Sequence, residues 1–373
     1  MYTSIACNLD TYILQTALPL FESERVQGLE WSFDALYDRT HVPDWFEELL
    51  QTFAAEGRLV GHGVFYSLFS GQWRPEQATW LDHLRRVARH YRFDHVTEHF
   101  GFMTGANFHQ GAPISVPYNA TTLALGQDRL ARISDAAQCP VGLENLAYAY
   151  TLREVEQHGE FLARLIAPVN GFIILDLHNL YCQMHNFEVD FADIIELYPL
   201  ERVREVHISG GSWQSTTSEP ERMVRRDTHD DAVPAAVFEL LEKVIPRCPN
   251  LKFVVLEQMG TALDTAAAQE QYQRDFYTLD RIVQNSQKGA PYLDFLAPSN
   301  LHLAPNPVTD ARLFEQQYAL SRILENAPSI TDARAQLSTS VLANSDWRVE
   351  NWSPVMLETA MAIAQKWGVK SEK

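Results

Sequence analysis

Eight short runs of the chain are almost continuously apolar. They are SIACNL near 4–9, GLEWSF near 28–33, LVGHGVF near 59–65, DHVTEHFGF near 94–102, PVGLENLA near 140–147, GFIILDLHNL near 171–180, VREVHIS near 203–209 and LKFVVLEQ near 251–258. Parallel strands covered on both faces read this way, because neither face is left for alternating polar residues. Between the runs the apolar positions switch to helical spacing, in PDWFEELLQTFAAEG, EQATWLDHLRRVARHY, ATTLALGQDRLARISDAA, LREVEQHGEFLARLIA, FADIIELYPL, VPAAVFELLEKVIPRC and AAAQEQYQRDFYTLDRIVQNS. Pro43, Pro75 and Pro234 stand at helix starts, where the missing N–H is harmless. Strands alternating with helices in this way predict an α/β chain with a (β/α)8 barrel over residues 1–288 and a C-terminal helical extension over 289–373.

Seven of the runs end in residues able to bind a hard or borderline metal ion: Glu30, His62, Glu98 with His99, Glu144 with Asn145, Asp176 with His178 and Asn179, His207, and Glu257. In a closed parallel barrel every strand opens onto one face at its C-terminal end, so these groups converge. Glu144, Asp176, His207 and Glu257 suffice for one octahedral divalent ion, and Glu144 is able to bridge to a second completed by His62 and His99. Asp227 and His229, spaced to share one side of an extended segment, could hold a third ion with His178 or Asn179. Mixed imidazole and carboxylate donors favour Fe, Mn or Zn over Mg or Ca. Any one such residue alone is better read as a helix cap or ion-pair partner; the joint pattern is not. His41, His83, His90, His158 and His185 lack this placement and read as surface or packing residues, while His95 and His109 fit either role.

Three segments on the same face read as long loops: those after the fourth, sixth (YCQMHNFEVD) and seventh runs. Long loops in compact domains are usually functional. The third carries Arg222, Arg225 and Arg226, a basic island that is either solvated or a clamp for a substrate carboxylate. Net charge is −18, with 48 acidic against 30 basic residues, which argues against a nucleic-acid backbone as ligand. Four dispersed cysteines exclude a CxxC thiolate site, and no run approaches the ~20 apolar residues of a membrane span or shows a signal peptide. The expectation is a cytoplasmic protein, without nucleic-acid or membrane partners. Neither a nucleotide loop nor a GxSxG elbow is present.

HGV at 62–64, TEH at 97–99, LEN at 143–145, LDLHNLY at 175–181, Asn186, HISGG at 207–211, DTHD at 227–230 and LEQ at 256–258 occur in that order. Over residues 1–288 this set resembles the multinuclear non-heme iron-dependent oxidases, whose members include the methanobactin-biosynthesis oxidase and the 3-thiaglutamate-pathway enzyme. The resemblance implies a xylose isomerase-like TIM barrel. It would hold two or three irons, Fe2+ or Fe3+, and use O2 to oxidise a residue, usually Cys, of a ribosomally made precursor peptide. A separate small leader-peptide-recognition protein usually assists. The positions matching the family's metal ligands are His62, His99, Glu144, Asp176, His207, Asp227, His229 and Glu257. His178 and Asn179 are the candidate catalytic residues, His178 as proton donor or as ligand of a third ion. Arg222, Arg225, Arg226 and Asn186 are the candidate substrate contacts. The chain departs from the family where His178 replaces an Asn, where Gly211 replaces a His, where Phe187-Glu188 follow Asn186, and in its first strand. The wider xylose isomerase-like barrels, including the trinuclear zinc endonuclease IV group, share the arrangement; the acidic balance argues against a nuclease. A sugar isomerase or epimerase and a non-catalytic metal-dependent peptide-binding module stay as alternatives. In the extension, PVMLETAMAIAQKW has an apolar face that either covers the barrel's outer helices or docks the partner protein.

Overall fold

The strand–helix alternation closes into a ring. A computed structural model describes residues 1–35, 42–104, 111–286, 293–301 and 303–367. His41, His109 and the expected boundary at 288/289 lie outside the described residues. In chain order the strands are β1 (Tyr2–Ala6), β2 (Gly28–Trp31), β3 (Leu59–Gly63), β4 (Val96–His99), β5 (Phe102–Met103), β6 (Pro113–Ile114), β7 (Val141–Glu144), β8 (Phe172–Asp176), β9 (Val203–Ile208), β10 (Trp213–Ser215), β11 (Met223–Arg225) and β12 (Phe253–Leu256). Eight of them form a closed barrel in the order β1-β2-β3-β4-β7-β8-β9-β12, and every neighbouring pair is parallel. Seven of the eight expected runs contain a barrel strand, and the first, near 4–9, overlaps β1 at Tyr2–Ala6.

The strands are shorter than the apolar runs because the runs include buried residues beyond the ladder, such as Leu146 and Phe33, whose ring packs on Trp80 of the helix Pro75–Tyr91. Several local expectations change. The segment after Asp176 is neither strand nor long loop: Asp176 ends β8 and caps a helix over Leu177–Phe187, its Oδ1 accepting from the Asn179 N–H at 2.5 Å. A helix at Thr11–Glu22 was hidden by Pro19 and by its apolar density. It is capped by Asp10 and buries Ile13, Thr16, Ala17 and Leu20, one helical face. FADIIELYPL supplies only one α-turn, Phe191–Ile195. The two other expected loops fold partly as hairpins, β5–β6 and β10–β11.

The main apolar core lies between the barrel and its helices; a smaller one, with Val60, Phe253 and Val255, fills the barrel itself. Side chains two residues apart share one face of a strand. That rule puts His95, Thr97 and His99 on one inner line, and Glu205 and His207 on another. At the N-terminal end the His95, Phe172 and Phe253 rings meet, with His95 centroids 4.7 and 5.4 Å from the two phenyl rings. Gly142 makes room for them, since a Cβ there would come within 2.5 Å of Phe172.

The extension turns over the opposite end. Its helices, Ala311–Asn326, Ile330–Thr339 and Pro354–Trp367, pack on one another and on loops that leave the C-terminal ends of the strands. Gln317 bonds Gly71 N–H and Phe69 C=O in the loop after β3. Trp352 stacks on Tyr150 after β7, with centroids 3.7 Å apart. Val355, Met356, Leu357, Ala360, Met361 and Ala364 are buried, so the apolar face of PVMLETAMAIAQKW is already covered within the chain. It packs on the other helices of the extension and meets the loop after β7, where Tyr148 OH donates to Met356 C=O.

Two outcomes test this packing. A Cβ at Gly159, in the helix Leu152–Ile166, would lie 2.0 Å from the Leu197 carbonyl oxygen. Gly159→Ala should therefore lower stability by about 1–3 kcal/mol, read from the urea midpoint; an unchanged midpoint would show that the 191–198 segment yields freely. At the barrel's N-terminal rim, burial alone would raise the Asp94 carboxyl, but His95, Arg204 and Lys252 hold it well below the usual carboxylate range. A depressed carboxylate contributes stability above its unfolded pKa of about 4, and that stability is lost as pH falls further. Asp94→Asn should flatten the decline in urea midpoint below about pH 4, and an equally steep decline would place the acid sensitivity elsewhere.

Candidate metal centre

Glu144, the last residue of β7, is the hinge of the site. Its Oε2 lies 3.4 Å from His62 Nε2 and 3.5 Å from His99 Nε2, and its Oε1 lies 3.7 Å from His207 Nδ1. Two groups of potential ligand atoms thus share it: His62, His99 and Glu144, and Glu144, Asp176, His207 and Glu257, each within 4.8 Å. Barrel register produces this, since His99 pairs with Glu144 and Asp176 with His207 across adjacent strands. His207 Nδ1 is 3.1 Å from Glu257 Oε2.

The imidazoles are oriented from behind. His62 Nδ1 bonds Thr97 Oγ1 at 2.8 Å, and that hydroxyl donates to Gly61 C=O. His99 Nδ1 donates to Gly63 C=O at 3.1 Å. Both rings are left with Nε2 facing Glu144. Such outer partners set the tautomer of a ligating histidine. Asn145 accepts from Asp176 N–H and donates to Asp176 C=O, tying the ends of β7 and β8 together.

Asp227 and His229 join from the loop after the β10–β11 hairpin. They are not on an extended segment: His229 has φ +53°, in the left-handed region, and the turn brings its Nε2 to 2.9 Å from Asp227 Oδ1. The pair reaches Glu257, 3.9 Å from His229 Nε2, but completes no third group of three ligands among the described residues.

These residues fit a metal ion. Glu144 Oε2, Asp176 Oδ2, His207 Nδ1 and His229 Nε2 are buried without a hydrogen-bond partner, each a cost of about 1–3 kcal/mol if left so. Donor atoms about 2.0–2.2 Å from one ion sit roughly 3 Å from each other, as here, and the donor set is imidazole and carboxylate without thiolate. The electrostatics agree. Burial, then the Asp227 and Glu144 carboxylates, push Asp176 well above its ordinary range. Burial would lower His62, but Glu30 and then Glu144 raise it to about 10. Without cations the cluster holds protons; bound metal would replace them.

His178 and Asn186 belong to the scaffold of the hairpin. His178 Nδ1 lies 3.1 Å from Asp227 Oδ1, and its Nε2 accepts from Arg225 Nε at 3.1 Å. Both ring nitrogens are engaged, which leaves none for a third ion. Gly211 makes room for it: a Cβ there would lie 2.9 Å from His178 Cε1. Asn179 donates to Asn145 C=O at 2.8 Å and approaches Glu144 Oε1 at 3.5 Å. Asn186 spends its amide on Arg225 N–H and C=O, Arg222 bonds Asn186 C=O, and Arg226 bonds Gln214. Of the three arginines, Arg225 keeps a buried, unpartnered Nη2, between the rings of Tyr181 and Trp213. Glu358 of the extension accepts from the backbone and hydroxyls of Thr217 and Ser218, clamping the same hairpin.

Sequence reasoning did not place Glu205, Thr97 and His95 in this interior, and gave Glu30 as a metal-capable strand end without a place in either ligand group. The signal was the alternation: each stands two or four residues before a ligand or on the inner line of its strand. His158, by contrast, is a satisfied core histidine whose Nε2 accepts from Leu146 N–H.

A family model described as "RiPP precursor modification enzyme MbnB/TglH/ChrH" matches residues 35–273, which contain all eight expected ligands. A UPF0276 protein of Acaryochloris marina is 26% identical over 201 residues, 53% of this chain and 69% of that protein. A UPF0276 protein of Caulobacter vibrioides is 28% identical over 190 residues, 50% of this chain and 64% of that one. The chain thus spans about two thirds of the length of these curated relatives. A solved xylose isomerase-like TIM barrel protein from Mycobacterium smegmatis, in complex with magnesium, aligns at TM-score 0.46 and 12% identity, over 76% of this chain and 98% of that one.

Because both ligand groups share Glu144, Glu144→Ala should cost more than one equivalent of bound metal in elemental analysis. Loss of a single equivalent would show the groups to be independent. Chelation should also lower the thermal midpoint of the wild type, since an ion that binds only the folded state stabilises it.

Proposed function

The chain belongs to the RiPP precursor modification enzymes of the MbnB/TglH/ChrH family, and from that premise we propose that it is a multinuclear iron-dependent, O2-using oxidase that modifies a residue, Cys by preference, of a ribosomally made precursor peptide. The observation that carries the reading is the sharing of Glu144 between an imidazole pair and a carboxylate–imidazole set. His62, His99 and Glu144 would hold one iron; Glu144, Asp176, His207 and Glu257 a second; Asp227 and His229 would serve a third beside Glu257. Bound iron supplies the redox chemistry with O2 that side chains lack.

The chain's own residues do the rest. Thr97 and the Gly63 carbonyl aim His62 and His99. His178 donates its Nδ1 proton to Asp227 while Arg225 holds its other nitrogen, so we assign it to positioning Asp227 rather than to ligation. Asn179 steadies Glu144. Arg225, with Nη2 free, is the group we assign to a carbonyl or carboxylate of the peptide; Arg222, Arg226 and Asn186 build the hairpin that presents it. Trp213, Met223 and Met259, exposed at the mouth, offer apolar contact to a peptide. Orientation of two reactants in such a site is worth several kcal/mol. A separate leader-recognition protein completes the proposal, because the barrel accounts for ligands but not for choosing one peptide.

The test is reconstitution. Protein produced with iron, together with a Cys-bearing precursor peptide and a leader-recognition protein where neighbouring genes encode them, should consume O2 and shift the peptide's mass. Turnover at the aerobic rate without O2 would exclude O2 as oxidant. Mn or Mg content with sugar turnover would favour an isomerase, and peptide retention without O2 uptake a binding module.

A further inference from the structure

His207 has two faces. Its Nδ1 looks toward Glu144 and Glu257, while Nε2 looks the other way, down the barrel, at Glu30 Oε2 at 3.1 Å and Glu205 Oε1 at 3.7 Å. Glu30, Glu205 and His207 are almost wholly buried, with at most 1% exposure. Glu30 Oε2, Glu205 Oε1 and His207 Nε2 all lack a hydrogen-bond partner, so the 3.1 Å approach is oblique to the ring rather than in line with it. Below them the row continues. Glu205 Oε2 meets His95 Nε2 at 2.7 Å, His95 Nδ1 lies 2.9 Å from Asp94, and Asp94 is held by Arg204 and Lys252 at the barrel's far rim.

Two occupancies suit three atoms that face a common point. A second cation would need Nε2 without its proton. A proton on Nε2, shared with the two carboxylates directly or through one buried water, needs nothing further; a water there would accept from Nε2 and donate to each carboxylate. Charge favours the second. Arg204, Lys252 and His95 stand against Asp94, Glu205 and Glu30, so the row is balanced without an added cation.

Resting on the assignment of His207 as a metal ligand, we propose that Glu30 and Glu205 are positioning residues that hold the Nε2–H of His207, fixing the tautomer in which Nδ1 faces the metal. Glu205 is itself anchored, through His95, by the Asp94–Arg204 pair at the opposite end of the barrel. Carboxylates behind a ligating histidine change metal affinity by about 10–100-fold when removed.

Co2+ titrated into the metal-free full-length protein reads this without turnover, through affinity, stoichiometry and the visible Co2+ spectrum. Glu30→Ala should weaken binding by about 10–100-fold at unchanged stoichiometry and shift the spectrum. Glu30→Gln, whose amide oxygen still accepts from Nε2–H, should recover most of the affinity. Glu205→Ala provides the second disrupting position should Glu30→Ala fail to fold. Unchanged affinity and spectrum in folded Glu30→Ala and Glu205→Ala variants would overturn the proposal. So would loss of one Co2+ equivalent with the others bound as before, which would make the carboxylates ligands themselves. His207→Ala separates the two levels: if it leaves Co2+ binding intact, the assignment of His207 has failed; if it abolishes binding while the carboxylate variants do not weaken it, only the positioning role has.

Discussion

Charged groups in the dry interior of a closed barrel must be compensated there, and this constraint organises the molecule. A parallel barrel with side chains of period two has no inner face open to water except at its ends. Into that space this chain sends Glu30, Glu205, Glu144, Asp176 and Glu257, together with His62, His95 and His207. An isolated buried charge is far too costly to keep, so such groups are paired, protonated or coordinated to metal. The lower half is settled by pairing, from Lys252, Arg204 and Asp94 through His95 to Glu205. The upper half has too few partners of its own. Its unpartnered lone pairs are what make it a candidate centre rather than another salt-bridge network.

The walls of the mouth follow from the same need for support. A hairpin carrying Arg225 leads into the turn that brings Asp227 and His229 to Glu257, and no barrel strand fixes that loop. It is held by Asn186 and His178 from the helix after β8 on one side, and by Glu358 of the extension on the other. The left-handed backbone at His229 is held at its carbonyl by Met259 N–H, 2.8 Å away, just past β12. The extension is therefore part of the site's architecture although it falls outside the segment matched by the family model.

His178 and Gly211, the two positions where the sequence resemblance expected Asn and His, meet in space. His178 Cε1 sits where a side chain at 211 would begin. In this chain the imidazole behind Asp227 comes from His178, whose Nδ1 lies 3.1 Å from Asp227 Oδ1. This accounts physically for two departures from the family pattern that look independent in the sequence.

The eight strands, their closure into a barrel, and the convergence of His62, His99, Glu144, Asp176, His207 and Glu257 were all legible in the chain. Each depends on local patterning: continuous apolar runs, helical periods between them, and ligand types at strand ends, which topology alone sends to one face. The helix at Leu177–Phe187 was not, because Asp176 reads equally as a strand tip and as the cap it proves to be. Nor was the role of the arginine island, since whether a guanidinium is free or spent depends on residues tens of positions away. The same holds for Glu30 and Glu205, ordinary inward residues of their strands until register sets them behind His207. Periodicity and chemical type are written in the sequence; which lone pair meets which proton is decided by distances that exist only once the barrel has closed.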